Sequence, residues 1–434
     1  MSQTLKAVRG TRDLLPPETA LWNRIEATAR AVFARYNFGE IRTPIFEDTG
    51  LFARSVGEET DIVSKEMYTW EDRARAQSEK TQSLTLRPEN TAGVVRAAIE
   101  HNLFESGQLQ KLYYIGPQFR RERPQKGRYR QFSQIGAEVI GPSSAGSESP
   151  LRDAETLEML ATLLDELGIT GWTLELNSVG SAADRTRYNE ALRAALVPVV
   201  SQMCVDCQRR AVTNPLRVLD CKVPADQPII DTLPVIADSL DEASQAHFAA
   251  VTAALDAAGV PYTLNHRLVR GLDYYTRTTF EFTHGGLGAQ NALLGGGRYD
   301  GLSEAIGGPK APGIGFAIGE DRLVLTLLAQ LDQDPAAPQV ADAYIAPLGE
   351  GLNAAALVLA RELRHQGLWI ELGDGSFRLK KSFDAAEKTA RRIVILGEDE
   401  LQSGILTVKT FATGIQTKVP RAELAAFLAE PAKG

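Results

Sequence analysis

Between Phe119 and Phe132 six cations, Arg120, Arg121, Arg123, Lys126, Arg128 and Arg130, surround a single acid, Glu122. An arginine fork donates paired, charge-assisted hydrogen bonds that match the geometry of a phosphate. The stretch therefore reads as a phosphate site. A solvated basic surface is the plainer reading of cations alone, but the aromatic residues, the Gly and Pro punctuation and the apolar runs on both sides favour a site. A second group is Cys204, Cys207 and Cys221 in "CVDC…LDC". C-x-x-C with a third thiol is part of a zinc pattern. No fourth cysteine follows, and the nearest downstream histidine, His247, is far along the chain. Reduced cysteines are the preferred expectation, with no metal site assigned. None of the five histidines, His101, His247, His266, His284 and His365, clusters with carboxylates as a catalytic set.

The chain around the basic cluster is acidic, with a formal net charge of −8 over 434 residues, 44% of them hydrophobic and 24% charged. That composition gives ample core for roughly two to four domains. It also argues against general polyanion affinity, so an anionic partner must be held by a local cluster. No run of about 18 apolar residues is present to span a bilayer. The first residues, MSQTLKAVRGTRDLLPPE, lack the basic start and apolar core of a secretory signal. Three cysteines make no disulfide framework. The expected location is the cytoplasm.

The elements that must position the cluster follow from periodicity. "KLYYIGPQFRRERPQKGRYRQFSQIGAEVIG" has two apolar-aromatic runs around a polar loop, which predicts two antiparallel strands. Trp22, Ile25, Ala29, Val32, Phe33 and Tyr36 recur at helical spacing and predict a helix over 19–38, closed by Gly39. "EIRTPIFED" follows as a strand with Pro44 at an edge or bulge. This unit suits dimerisation or intrachain packing equally. "SLTLRPENTAGVVRAAIEH" predicts a strand, a turn over 87–90 and a helix from Thr91. A further helix is expected over 153–167. The Ala-rich helical stretch between Ser178 and Tyr262 reads as an inserted module. "ALLGGGRYDGLSEAIGG" reads as a glycine loop leading to a helix, and "APGIGFAIGEDRLVLTLLAQL" as a short strand and a long helix. "DQDPAAPQ" reads as a linker. From Val340, "ADAYIAP", "LWIEL", "RRIVILG" and "ILTVKTFATGIQTKV" are strand candidates, alternating with helices over 352–366 and 383–390. That alternation predicts a small α/β domain with a mixed sheet.

"FRRERPQKGRYRQFSQIGAEVIG" resembles motif 2 of the class II aminoacyl-tRNA synthetases, and specifically of the histidyl-tRNA synthetase family. "LVRGLDYYTRTTFEF" and "GGGRYDGL" resemble that family's two signature segments. "GIGFAIGEDRL" is similar to motif 3, "TLRPENTAG" to the amino-acid-binding loop and "GTRDLLP" to the family's opening. "LKKSFDAAEKTARRIVILGEDELQSGILTVK" is similar to its C-terminal anticodon-binding domain. Seven segments in order, over essentially the whole chain, make the resemblance specific. It implies an α+β fold: a class II catalytic domain (an antiparallel sheet flanked by helices), a helical insertion and a C-terminal α/β anticodon-binding domain. The implied limits are 1–178 and 262–330 for the catalytic domain, 179–261 for the insertion, 331–341 for a linker and 342–434 for the last domain.

The implied reaction activates L-histidine with ATP to histidyl-adenylate and pyrophosphate. The histidyl group then passes to the 3′ end of tRNA(His). The attacking carboxylate is already ionised, so the step needs alignment and charge stabilisation rather than a strong base. By resemblance Arg120 holds the α-phosphate and the substrate carboxylate, Glu122 approaches the adenine amino group and Phe132 stacks on adenine. Arg128 lies near the outer phosphates, and Arg322 meets the γ-phosphate from the other side. Arg270 sits at the α-phosphate, where relatives use a metal ion; Mg2+ is expected on the outer phosphates, with few protein ligands. Neutral imidazole offers one N–H and one bare nitrogen. The resemblance assigns Glu138 to accept from the first and Tyr275 to donate to the second. Glu89, Thr91 and Gln134 hold the α-amino group, and Tyr274 and Tyr299 line the site. Such a pocket rejects analogues lacking a matched hydrogen bond by about 10⁴ or more. By strand alternation alone, Glu138 could equally face solvent. Gln125 and Arg130 read the tRNA acceptor end, Lys380, Lys381 and Lys388 meet the anticodon arm, and a homodimer is implied.

Asn90, Ser133 and Ala137 stand where bacterial members of the family commonly have Gly, His and Cys. Each adjoins an implied contact residue. A regulatory paralogue without activity would lack the last domain and signature residues, but here Arg120, Arg270 and Arg322 are present. A pure RNA-binding module would need no Glu138/Tyr275 pair. A proline or threonine enzyme is disfavoured by "RGLDYY" and "GGGRYDGL".

Overall fold

The apolar stripe of the first helix decides where that helix goes. Glu18–Arg35 buries Leu21, Trp22, Ile25, Ala29, Val32 and Phe33 against the helices Pro150–Leu167 and Glu320–Gln330 and the main core. The stripe is thus consumed within its own chain. The helix ends at Arg35, and Asn37, at φ 63°, makes the left-handed turn expected of Gly39. The structure, a computed structural model, describes residues 4–57, 60, 62–72, 81–125, 127–270, 274–287, 291–330 and 340–430. The expected linker falls largely outside them, as do Gly271, Leu272 and Asp273 of the "RGLDYY" segment. The chain forms two compact units, Met1–Pro335 and Ala336–Gly434.

In the first unit the strands are β1 (Gly39–Glu40), β2 (Phe46–Asp48), β3 (Tyr68–Asp72), β4 (Gln82–Leu86), β5 (Gln110–Phe119), β6 (Gln131–Ile140), β7 (Trp172–Ser178), β8 (Thr263–Leu264), β9 (Thr276–His284), β10 (Ala292–Arg298) and β11 (Gly313–Gly319). The large sheet runs β1-β5-β6-β11-β10-β9-β7-β8. Its neighbours from β5 to β7 are antiparallel, and β1 and β8 join its edges in parallel. Pro44 falls between β1 and β2, so the single strand expected there is two. Proline has no N–H to donate to a ladder. β2 instead joins a small sheet, β2-β4-β3.

Alternation along the strands gives the large sheet two chemically different faces. Ile135, Ala137 and Val139 of β6, Ile314, Phe316 and Ile318 of β11, and Phe280 and Phe282 of β9 enter the core beneath the helices. The opposite face carries Gln134, Gly136 and Glu138 on β6, Gly315 and Ala317 on β11, and Glu281 on β9. "LGGGR", expected as a loop, forms the last five residues of β10. A strand is possible there because both neighbours supply its ladder bonds.

One buried ion pair ties this sheet to its helices. Arg298, at the end of β10, donates to Asp153 of the helix Pro150–Leu167; both side chains are fully buried. Thr278 donates to the same carboxylate at 2.6 Å, and Arg298 also reaches the Ser147 carbonyl at 2.9 Å. A separate core within residues 179–236 is built on Tyr188, Leu192, Cys207, Val218 and Ile230. The helix Glu242–Ala258 packs instead on Pro150–Leu167, placing Val251 and Leu255 in the main core.

The second unit holds β12 (Ala343–Pro347), β13 (Ile370–Leu372), β14 (Arg392–Leu396), β15 (Ile405–Thr410) and β16 (Gln416–Pro420). The sheet order is β13-β12-β14-β15-β16, parallel through the first three strands and antiparallel at the last two. That is the mixed sheet predicted. The run "ILTVKTFATGIQTKV" is a hairpin rather than one strand, turning at Gly414 with φ 69°. Helices Asn353–His365 and Leu379–Thr389 pack on this sheet, and Lys380, Lys381 and Lys388 are exposed on the second.

Removing one partner of a buried pair leaves an uncompensated charge, at a cost of about 3–5 kcal/mol. Arg298→Ala is therefore expected to lower the stability of the first unit by about that amount in denaturant melts. The second unit should melt unchanged.

Candidate active site

The β5–β6 hairpin places the basic cluster at the end of the sheet, where Arg120 N–H donates to the Arg130 carbonyl at 2.9 Å. Arg120, Glu122, Arg128 and Phe132 line a cavity of about 940 Å3 together with Arg270 and Arg322. Residues separated by up to 202 positions thus meet at one place. Arg120 lies over the Phe132 ring at 5.4 Å and donates to the Pro88 carbonyl at 2.9 Å. Arg128 pairs with Glu122 at 3.3 Å, and Arg270 with Glu281 at 2.5 Å. Arg322, in the first turn of Glu320–Gln330, donates to the Ala292 carbonyl. Burial, then repulsion from Arg128 and Arg270, lowers the pKa of Arg322. A bound anion would relieve that repulsion at Arg322.

A second cavity, of about 150 Å3, adjoins it. Glu89, Thr91, Gln134, Tyr274, Tyr275 and Tyr299 line it, and Arg120, Arg270 and Gln134 line both cavities. Glu138 lies just behind that lining and is fully buried, so it does not face solvent. Its two carboxylate oxygens accept from Thr91 Oγ1 at 2.7 Å and from the Tyr299 hydroxyl at 2.5 Å. Burial pushes its pKa up to about 8, against these two donors, and Glu89 adds repulsion. Glu89 caps the helix Thr91–Glu100: it accepts from the backbone N–H of Thr91 at 2.7 Å and of Ala92 at 3.1 Å. Burial raises its pKa as well. Tyr274 packs between Tyr275, tilted at 57° with centroids 4.7 Å apart, and Tyr299, edge-on with centroids 5.8 Å apart.

Glycines make the room. A Cβ on Gly315 would lie 1.7 Å from Glu138 Oε2, and one on Gly295 would lie 2.5 Å from the Arg270 guanidinium. Gly297 lies beneath the Tyr275 ring and Gly136 beneath Tyr114. In register Gly315 faces both Glu138 and Gly297, so the glycines form a contiguous floor across β6, β11 and β10. The "GGG" run, Gly295 to Gly297, lies within β10. None of its residues has positive φ among the described residues. Its close approach is to the chain's own site side chains.

Gln125 and Arg130 stand apart from both cavities. Gln125 is exposed, in the turn closed by its two backbone bonds with Arg128. Arg130 folds over Gly10 and donates to the Arg9 carbonyl at 3.2 Å. Of the atypical positions, Ala137 points into the core, away from the pocket. Asn90 accepts from Thr43 Oγ1 at 2.6 Å and so fixes the loop before the helix. Three residues escaped the sequence reading. Tyr114 lines the small cavity with a buried hydroxyl that has no partner among the described residues; its alternation with Gly116 on β5 was the available signal. Glu281 is the acid that orients Arg270. Arg12 bonds Glu18 at 2.8 Å and Asp321 at 2.9 Å and lies 4.9 Å from the Tyr129 ring centroid. It ties the N-terminal segment, the hairpin loop and the Arg322 helix together.

An antiparallel sheet carrying a basic hairpin on one side and a helix-borne arginine on the other defines a class II aminoacyl-tRNA synthetase core. A family model for histidyl-tRNA synthetase matches residues 10–323, and one for an anticodon-binding domain matches residues 342–431. The chain is 74% identical to a histidine–tRNA ligase of Koribacter versatilis, over 98% of this chain and 96% of that protein. It is 56% identical to one of Solibacter usitatus, over 98% and 99%. The apo histidyl-tRNA synthetase structure from S. aureus superposes with a TM-score of 0.79 at 37% identity, covering 98% and 100%. The chain belongs to the histidyl-tRNA synthetase family. Its activity, the ATP-dependent ligation of histidine to tRNA, follows from that membership.

Two outcomes follow from the geometry. Arg12→Ala is expected to raise KM for ATP several-fold while altering KM for histidine little, in steady-state pyrophosphate exchange, because it loosens the hairpin loop and leaves the small cavity intact. A carboxyl titrating at about 8 is neutral below that pH and ionised above it. Only the ionised form offers its full acceptor capacity to an imidazole N–H. kcat/KM for histidine should therefore rise through pH 8 in the native protein, and Glu138→Gln should flatten that rise.

Proposed function

We propose that this chain activates histidine at the junction of the two cavities. The observation that carries the reading is that Arg120, Arg270 and Gln134 line both. A carboxylate leaving the small cavity and an α-phosphate entering from the large one would meet between the two arginines. Arg120 and Arg270 stabilise the charge that builds on the α-phosphate, and fixed donors of this kind need no reorganisation during the step. Arg128 and Arg322 take the outer phosphates, while Phe132 and Glu122 take the adenine. Mg2+ would have few protein ligands here, since Glu122 and Glu281 of the cavity wall are paired with arginines. When bound, it would supply charge neutralisation for the outer phosphates.

Glu138 and Tyr275 select the imidazole, and Glu89, Thr91 and Gln134 hold the α-amino group. Tyr274 and Tyr299 close the pocket around the ring. The buried, hydrogen-bonded setting of Glu138 supports this reading, since an unmatched analogue would leave it without its partner. Gln125 and Arg130 meet the acceptor end of tRNA(His) from the outer side of the hairpin, and the exposed Lys380, Lys381 and Lys388 meet the anticodon arm. The division into residues 1–178 with 262–330, an insertion at 179–261, a linker at 331–341 and a last domain at 342–434 belongs to this proposal. So does a cytoplasmic location. Among the described residues no helix is long and apolar enough to cross a membrane. A homodimer is supported by the exposed apolar side chains Ile45, Phe46 and Trp70 on or beside the small sheet.

The test is histidine-dependent exchange of labelled pyrophosphate into ATP, with the other amino acids in parallel. Exchange is expected with histidine alone. Arg270→Ala should abolish it with the fold intact by circular dichroism; near-normal exchange would overturn the role given to Arg270.

A further inference from the structure

The three cysteines of the insertion converge with a carboxylate that a search for Cys and His spacing passes over. Sulfur atoms of Cys204, Cys207 and Cys221 and a carboxylate oxygen of Asp226 all lie within 4.8 Å of one another. Cys204 Sγ and Cys221 Sγ are 3.9 Å apart, and Cys221 Sγ lies 3.3 Å from Asp226 Oδ2. A tetrahedral zinc with Zn–S bonds of about 2.3 Å separates its sulfurs by about 3.8 Å. The Cys204–Cys221 separation matches one edge of such a tetrahedron, and all four donors are close enough to share one ion. We propose that Cys204, Cys207, Cys221 and Asp226 hold one structural zinc ion in the insertion.

The surroundings are those of a ligand set rather than of three thiols in an apolar core. Cys207, Cys221 and Asp226 are buried, and no Lys or Arg pairs with Asp226 among the described residues. An acid buried without a cation is costly unless something neutralises it. Its carboxylate is aimed by the Cys204 backbone N–H, at 3.1 and 3.2 Å from the two oxygens. The Val223 N–H points at Cys221 Sγ at 3.4 Å. Backbone donors of this kind orient metal ligands. Cys204 and Cys207 sit together at the N-terminal end of the helix Val205–Thr213. Three soft thiolates and one carboxylate suit zinc rather than a hard cation such as Mg2+.

The position gives the ion a purpose. Cys204, Cys221, Lys222 and Val223 line the large cavity opposite Arg120 and Arg322. The elements that carry them are short: a nine-residue helix, a turn and one turn of 3-10 helix. A metal bridging all three would fix this wall of the cleft and the cations it carries, Lys222, Arg210 and Arg217.

The experiment is metal analysis of the full chain, expressed with zinc in the medium and purified under reducing, chelator-free conditions. About one zinc per chain is expected, released when a mercurial reagent blocks the thiols. Reconstitution of the stripped protein with Co2+ should give a thiolate-to-cobalt charge-transfer band. Cys204→Ser, at the least buried ligand, and Asp226→Asn should each lower zinc occupancy at least tenfold under competition by a chromogenic chelator, with helical content preserved. Stripping zinc should speed tryptic cleavage after Arg217 and Lys222. A folded native protein that takes up neither zinc nor cobalt would overturn the proposal. So would unchanged zinc occupancy in both variants, or a Cys204–Cys221 disulfide in protein purified without air.

Discussion

The fold depends on one steric constraint: side chains that lie flat across a sheet need nothing beneath them. In an antiparallel sheet every second residue of every strand points to the same face. A cleft on that face fills with those side chains unless they are small. Here Gly136, Gly315, Gly295 and Gly297 leave the floor bare, and Tyr114, Glu138, Arg270 and Tyr275 occupy the space released. Each of these large polar groups is held against backbone. The clearance of 1.7 Å between a notional Gly315 Cβ and Glu138 Oε2 leaves no room for alanine without movement of the acid or the strand.

Electrostatics builds on that floor. The chain is acidic, yet its cleft gathers arginines from the hairpin, from the segment after the insertion and from the helix after β11. Each is aimed by a specific acceptor: Pro88 and Ala292 carbonyls for Arg120 and Arg322, Glu281 for Arg270 and Glu122 for Arg128. Glu89 and Glu138 lie by the small cavity, where hydroxyls and backbone N–H groups rather than arginines are their bonded partners. The large cavity therefore gathers cations, and the small one buried acids and hydroxyls. Adenylate formation needs that division, because the attacking carboxylate requires positioning and charge stabilisation more than a base.

Stability and function share residues only at the margins. Arg298 and Asp153 are as buried and as charged as the site residues, but they pin a helix to the sheet. Arg12 stands between the two roles: it lines neither cavity, yet it links Glu18 to Tyr129 and Asp321, both of which line the large one.

The sequence by itself determined the elements with strong local signals. The antiparallel pair around the basic loop, the helix from Thr91, the strand and helix at Gly313–Gln330 and the mixed sheet of the last unit were all legible, because periodicity and capping act over a few residues. Ordered motif resemblance identified the family. Tertiary structure decided what depends on distant partners. "LGGGR" reads as a loop until β9 and β11 supply its ladder bonds, and Pro44 divides a strand whose halves find different sheets. Whether Glu138 faced water or the pocket could not be read from alternation, which gives two faces without saying which is covered. Asp226 was invisible beside the cysteines, since a carboxylate five residues after a thiol becomes a neighbour only once the chain turns back. Interactions within about one turn of helix or strand are encoded locally, whereas the meeting of Arg120, Arg270 and Arg322 exists only after the sheet has brought together the segments that carry them.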